Sequence, residues 1–343
     1  MKKILGAAVI LALFLAGCKS KPQLVLYTWS EMFPLEILQG FEKETGIIIK
    51  YVNFDTNETM FSRISASGGR NYDIVIADDY IVETVILSGL AQKLDRLKLS
   101  NYGNINPLYQ GQFYDAADEY TIPYGAGVQT IVYDPARTKI PIGGYTGLWH
   151  PELAGSIGII DSFRVINGMA LKVLGQSYNT NNVEIIRSAG EYLRRLAPNI
   201  RLIRDDNLQD ELLSGEISVA VMYTSQVTQA KMENPNLEVV FPPEGIGFGI
   251  MAGFIPSKAP NADAAYAFLD YILDAERGAR CFEFLGYYST NAASDPLIEP
   301  EFKQFLTLPT DFSGEMEMIQ NISAEAEDAH NRIWTEFKAA AGQ

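Results

Sequence analysis

The chain has 343 residues, 47% of them hydrophobic, and its 27 basic and 42 acidic side chains give a formal net charge of −15. That balance disfavours nucleic acid, whose binding rests on neutralising phosphates with basic side chains, and its negative field favours cationic ligands. The length suffices for two packed lobes, and two cysteines are too few for a disulfide framework.

At the N-terminus, Lys2 and Lys3 precede an apolar run from Ile4 to Leu15, and Leu15-Ala16-Gly17-Cys18 follows. A basic head, an apolar core and small residues before a cut are the parts of a secretory signal. The run is shorter than the roughly 20 residues a membrane span needs. Cysteine directly after Ala-Gly resembles the bacterial lipobox. The resemblance implies that residues 1–17 are a signal peptide removed on export, and that Cys18 is acylated. The protein is then periplasmic and held to a membrane by its acyl chains, at about 0.8 kcal/mol per buried methylene. Cys281 is left without a partner and reads as a buried apolar residue on a helix.

Gln23 to Trp29 is β-branched and aromatic and reads as a strand. Pro34 starts a helix with Leu35, Leu38 and Phe41 on one side, ended by Gly46. Ile47 to Val52 is a second strand. Asn57 caps a helix carrying Met60, Phe61 and Ile64. Tyr72 to Ile76 is a third strand, apolar almost throughout, as burial on both faces requires. This alternation predicts a parallel sheet with covering helices. Ligands bind such sheets at the carboxyl ends of the strands, where Trp29 and the segment Ala77 to Tyr80 fall.

A second region begins near Gly127, with strands at Val128–Tyr133 and Ile157–Ile160 and helices at Ile166–Leu174 and Val183–Leu196. A helix ends at Leu212-Leu213-Ser214-Gly215-Glu216, and Ile217 to Met222 is a strand. Gly245 to Phe254 is a glycine-rich strand that allows a close backbone approach. Asn261 caps a helix from Ala262 to Leu273. No proline- or serine-rich linker separates the halves, so strands are expected to cross directly between two lobes.

Catalytic patterns are missing. His150 and His330 are the only histidines and neither has metal-ligand spacing. There is no Gly-x-Ser-x-Gly elbow, phosphate loop or Gly-x-Gly-x-x-Gly after a strand. Asp78-Asp79 and Asp205-Asp206 are adjacent acids of the kind an acidic chain produces by chance. The reading is a binding protein, not an enzyme, with no cofactor and no metal.

From Leu24-Val25-Leu26-Tyr27-Thr28-Trp29-Ser30-Glu31 onward the chain resembles the periplasmic polyamine-binding proteins of bacterial spermidine/putrescine ABC transporters. The likeness continues through Phe41-Glu42-Lys43-Glu44-Thr45-Gly46-Ile47, Asn57-Glu58-Thr59-Met60, Ile122-Pro123-Tyr124-Gly125, Leu148-Trp149-His150-Pro151-Glu152 and Asn291-Ala292-Ala293. It implies an α/β, two-lobed type II periplasmic-binding fold with a ligand cleft between the lobes. One lobe is 18–127 plus 252–295 and the other 128–251 plus 296–343. It also implies a monomer that closes on a small cationic solute and delivers it to an inner-membrane ABC permease.

Trp29, Ser30, Tyr80, Tyr287 and Gln320 match ligand-contacting positions of that family, and Tyr223 replaces a family tryptophan. Ser162, Val165 and Met251 stand where the family has acids, and Gly249 where it has tryptophan. Asp78 replaces a family serine and offsets part of that loss, with Glu31 and Asp161 as further candidates. Asp78 also suits a helix N-cap ahead of Tyr80; if Asp79 caps instead, Asp78 is left for a ligand. Fewer carboxylates and a smaller wall favour a short diamine such as putrescine over spermidine. The alternative is another small solute, such as an amino acid or a sugar; a carboxylate-bearing ligand needs an arginine, and Arg164 is the one near the site.

Overall fold

The structure, a computed structural model, describes residues 21–204, 207–306, 312 and 314–343. The expected signal peptide, Cys18 and the Asp205-Asp206 pair lie outside the described residues. Strand and helix alternate through β1 (Gln23–Thr28), α1 (Leu35–Thr45), β2 (Ile48–Asn53), α2 (Asn57–Ser67), β3 (Ile74–Asp78) and α3 (Asp79–Leu87). β1 lies between β2 and β3 and is parallel to both. Parallel neighbours need a crossover connection, and α1 and α2 supply it.

Side chains alternate across a strand, and β3 shows the consequence. Ile74 and Ile76 join Leu24, Leu26, Phe41 and Phe268 in one core. Val75 and Ala77 join Tyr27, Met60, Ile64 and Val82 in another. Two expectations are corrected here. Leu35 is 67% exposed, and α1 buries Ile37 and Phe41, which sit one helical turn apart. The N-cap of α2 is Thr56, whose side chain accepts from Thr59 N, so Asn57 is released for another role.

The chain continues through β4 (Thr121–Tyr133), β5 (Ile157–Ile159), α4 (Phe163–Val173), α5 (Val183–Arg194), β6 (Ile200–Ile203), α6 (Leu208–Ser214), β7 (Val219–Tyr223) and α7 (Thr224–Glu233). It ends with β8 (Glu238–Val240), β9 (Ile246–Phe254), α8 (Ala262–Ile272), α9 (Ala275–Leu285), β10 (Met316–Met318) and α10 (Ala324–Ala340). The strand order is β2-β1-β3-β9-β4-β7-β5-β6, with β10 on β9 and β8 on β4.

The strand expected at Val128–Tyr133 is the second half of β4. From Thr121 to Val128 β4 pairs with β9, and from Gln129 to Tyr133 it pairs with β7. Its first half lies with the cores around β1 and β3. Its second half contributes Ile131 and Val132 to a separate core with Ile157, Ile159, Val219, Val221, Met169 and Leu193. One strand therefore runs through both lobes of the α/β fold. α10, which has no counterpart in the sequence reading, brings Trp334 and Phe337 into the second core. Ser323 caps it by accepting from Ala326 N. Asn261 stands at the N-cap position of α8, but its side chain bonds Asp73 at 3.2 Å and makes no cap bond.

Gly168 lies inside α4, where a Cβ would stand 2.0 Å from Cδ1 of Tyr178. Tyr178 is fully buried and cannot retreat. Helix propensity alone would reward Gly168→Ala by about 1 kcal/mol. Overpacking should reverse that sign and cost about 1–3 kcal/mol, read as a lower urea midpoint with an unchanged slope.

Candidate ligand-binding site

A cleft of about 500 Å³ opens between the two cores. One wall comes from the carboxyl ends of parallel strands, where ligand sites of such sheets lie. Trp29, Ser30 and Glu31 follow β1, Asp78 ends β3, and Tyr80 opens α3; all five line the cleft. Asp161 and Arg164 at the start of α4, Tyr223 at the end of β7 and Tyr287 after α9 line it too.

Gln320 is the exception and is corrected. Its side chain is exposed and its neighbour Ile319 lines the cleft instead. Gln320 acts through its backbone, its carbonyl accepting from Arg164 Nη2 at 3.0 Å and its N–H donating to Asn179 Oδ1 at 2.8 Å.

Asp78 stands at the N-cap position of α3 but makes no side-chain cap bond. Its Oδ2 instead accepts from Asn57 Nδ2 at 2.8 Å. The same amide donates to the Tyr80 hydroxyl at 2.9 Å, and that hydroxyl donates to Glu58 Oε1 at 3.2 Å. Burial pushes the Asp78 carboxyl up to about 6, against the pull of the Asn57 hydrogen bond and with help from the negative Glu58. Asp79 is 2% exposed and serves the scaffold, its oxygens accepting from Tyr80 N at 2.8 Å and Ile250 N at 2.9 Å. Burial holds its carboxyl well above the ordinary range.

Both Asn57 donors are spent, and the Tyr80 proton is committed to Glu58. Around Asn57 and Tyr80 the cleft therefore presents carboxylate acceptors whose neighbouring donors are already used. Such a surface suits a group made only of donors, as an ammonium is, and repels an anion. Asp161 differs, because Trp334 Nε1 at 3.2 Å and Lys338 Nζ at 3.4 Å already approach its Oδ1.

Aromatic faces line the space beside these acids. Trp29 is half-buried against Phe54, with ring centroids 4.5 Å apart, and its carbonyl accepts from the Tyr51 hydroxyl at 2.8 Å. The Tyr287 ring lies over Gly127, where a Cβ would stand 2.7 Å from Cδ1. Gly127 thus admits the ring. A Cβ on Gly249 would meet nothing within 4 Å, so the cleft is open at that point. Of the expected close approaches in the glycine-rich strand, Gly247 makes one: a Cβ there would stand 2.7 Å from the Gln129 amide.

Arg164 is 5% exposed, and its Nη2 bonds only neutral oxygens: Tyr178 O, Asn179 Oδ1 and Gln320 O. Burial pulls its pKa below the usual arginine value. The exposed His150 accepts from Glu152 N at 3.3 Å, whereas His330 is buried and pushed down to about 3, first by burial and then by Arg164. Among the described residues no three His, Cys, Asp or Glu side chains form a metal-holding group, and no helix is long and apolar enough to cross a membrane.

Several lining residues had escaped the sequence reading. Asn57 had been read only as a cap. Glu58 was only part of a motif, although an acid in a first helical turn beside a strand end is a usable signal. Gln209, Gln226 and Gln229 carried no signal, because ordinary polar spacing on α6 and α7 does not reveal which face meets the cleft.

Comparison with known proteins agrees in extent. The model of a family described as bacterial extracellular solute-binding protein matches residues 36–310. The spermidine/putrescine-binding periplasmic protein of Salmonella typhimurium is 31% identical over 297 residues, covering 86% of this chain and 85% of that protein. The protein of the same description from Escherichia coli K12 is 30% identical over 307 residues, covering 89% and 88%. The solved spermidine/putrescine ABC transporter substrate-binding protein PotD of Streptococcus pneumoniae superposes with a TM-score of 0.79 at 28% identity, covering 93% of this chain and 99% of that one.

Because the folded-state pKa of Asp78 is raised, its ionisation destabilises the ligand-free protein. The loss begins as pH rises past 3.8 and is complete above about 6. Asp78→Asn should therefore raise the ligand-free melting temperature at pH 7.5 by about 2–4 °C. The gain over wild type should shrink toward pH 4, as scanning calorimetry across that range will show.

Proposed function

The chain belongs to the bacterial extracellular solute-binding protein family, and on that premise we propose that it is the polyamine-capturing component of an ABC importer. Putrescine, with spermidine as the longer candidate, is held in the cleft between the lobes and passed to an inner-membrane permease. The reading includes export, removal of residues 1–17, an acyl anchor on Cys18 and action as a monomer. It also takes 18–127 plus 252–295 as one lobe and 128–251 plus 296–343 as the other, in keeping with the change of partner in β4 after Val128.

The observation that carries this reading is the pair of cleft carboxylates, Asp78 and Glu58, beside donors that are already used. Asp78 and Glu58 flank the Tyr80 hydroxyl, and no described group bonds the second Asp78 oxygen. An ammonium placed there supplies the missing donors and the missing positive charge together. Attraction is strengthened at the half-buried Asp78, where water screens charge less than in bulk. Trp29, Tyr223 and Tyr287 offer flat faces to the methylene chain and to the cation. The related proteins that match along most of this chain carry spermidine/putrescine-binding descriptions, and they function in transport, not catalysis.

A diamine has two charges to satisfy, and Glu31 and Asp55 are further exposed acids on the same wall. Spermidine adds a third cation. Positions 162, 165 and 251 offer serine, valine and methionine there. Desolvating an unmatched ammonium is unfavourable, so the shorter diamine fits better.

Calorimetric titration should give tighter binding for putrescine than for spermidine or spermine, and Asp78→Asn should weaken putrescine by about 100-fold, or close to 3 kcal/mol. Much tighter binding of spermidine would reject the diamine preference, and failure of every polyamine would reject the reading. Binding needs Asp78 ionised, with a free-protein pKa of about 6. Affinity should therefore be level above pH 7 and fall by about tenfold per pH unit below that pKa. Proton release, measured in two buffers of different ionisation heat, should be near zero above pH 7, reach about half a proton per ligand near that pKa and grow below it.

A further inference from the structure

The two walls of the cleft differ in chemistry. Glu31, Asp55, Glu58, Asp78 and Asp79, on the first wall, all come from residues before Tyr80. On the opposite wall the one lining carboxylate among the described residues is Asp161, which Lys338 already approaches. That wall is supplied instead by carboxamides on α6 and α7. Gln209 Nε2 donates to Gln229 Oε1 at 3.2 Å, so the two side chains are held as a pair. Gln209 Oε1 is buried and meets no donor among the described residues, and Gln229 Nε2 keeps its N–H groups. Both residues line the cleft.

The pair leaves one acceptor, the buried Gln209 Oε1, and one donor group, Gln229 Nε2. A secondary amide has the matching groups, since its N–H donates and its carbonyl accepts. A primary ammonium has donors only and satisfies the acceptor alone. A buried acceptor without a partner is unfavourable, so an arriving N–H gains more at Gln209 than at an exposed amide. For a mono-acylated ligand the acidic wall holds one cationic end, at Asp78 and Glu58, and the exposed Glu31 is left to solvent.

We propose that the paired Gln209 and Gln229 form a carboxamide-recognising subsite, so that the cleft takes mono-N-acylated diamines alongside free ones. The ammonium end lies at Asp78, and the acyl amide lies against α6 and α7. This rests on the polyamine reading above and extends it from a charge-counting site to one that reads the two ends of its ligand differently. Acylation removes one positive charge, and the amide wall returns hydrogen bonds in its place. The wall carries no unneutralised carboxylate, among the described residues, that the acylated end would leave unpaired.

Calorimetry with putrescine and N-acetylputrescine on the purified protein tests this. N-acetylputrescine should bind within about threefold of putrescine, whereas a cleft with a carboxylate at each end would lose about 100-fold or more on acylation. Gln209→Leu with Gln229→Leu should weaken N-acetylputrescine by about tenfold while moving putrescine by less than about threefold. Gln229→Glu should reverse the preference toward the free diamine by about tenfold. A 100-fold loss on acylation, or equal losses of both ligands in the double variant, overturns the subsite and leaves the polyamine reading standing. Failure of putrescine itself to bind overturns both.

Discussion

The architecture depends on the hydrogen-bond ladder of one strand. β4 is paired on one side with β9 as far as Val128 and with β7 from Gln129 onward. Backbone N–H and C=O groups must be satisfied wherever they are buried, so a buried strand that changes partner fixes where two cores meet. The change falls beside Gly125, Gly127 and Gln129, all of which line the cleft. The ligand site is thus set at the seam where one ladder gives way to the next. Loops that follow the carboxyl ends of β1, β3 and β7 converge on it.

Within that seam the first wall combines stability cost with function. Asp78 lies half-buried with its carboxyl pushed up to about 6, and burial also holds the carboxyl of Asp79 beside it above the ordinary range. Isolated carboxylates are unfavourable in such surroundings. Asn57 moderates the cost by donating to Asp78 and Tyr80 together, which also fixes the direction of the Tyr80 hydroxyl proton. The remaining deficit is one positive charge, and a solute can supply it. Among the described residues, cleft carboxylates are therefore concentrated on one side and amides occupy the other.

Arg164 is buried with only neutral oxygens bonded to it, and it ties the start of α4 to Asn179 and to the backbone at Gln320. Its charge is oriented by scaffold contacts rather than by an ion pair. The segment following β10 is held from the other lobe as well, since Asn321 Nδ2 donates to Thr84 Oγ1 on α3 at 3.2 Å. The neighbourhood of Gln320 is thus a structural junction. The backbone of Gln320 is engaged while its side chain faces solvent.

Much of the fold was legible because apolar periodicity is local. The strand–helix alternation from Gln23 to Leu87, the helix stop at Gly46 and the glycine-rich strand before Pro256 are each written in a few adjacent residues. Trp29, Asp78 and Tyr80 were legible as cleft-lining residues because a cleft opens at strand ends of parallel sheets. The long course of β4 and the packing of α10 were not, since pairing between residues far apart leaves no local trace. Nor was the choice of Asn57 to hold Asp78 while Thr56 caps the helix, because both residue types cap well and only the neighbouring strand decides between them. By itself the sequence determined the fold class, the acidic balance and the residue types available for binding a cation. The tertiary structure alone decided that, among the described residues, the cleft acids gather on one wall and the glutamines on the other, because that division depends on which helix faces meet across the cleft.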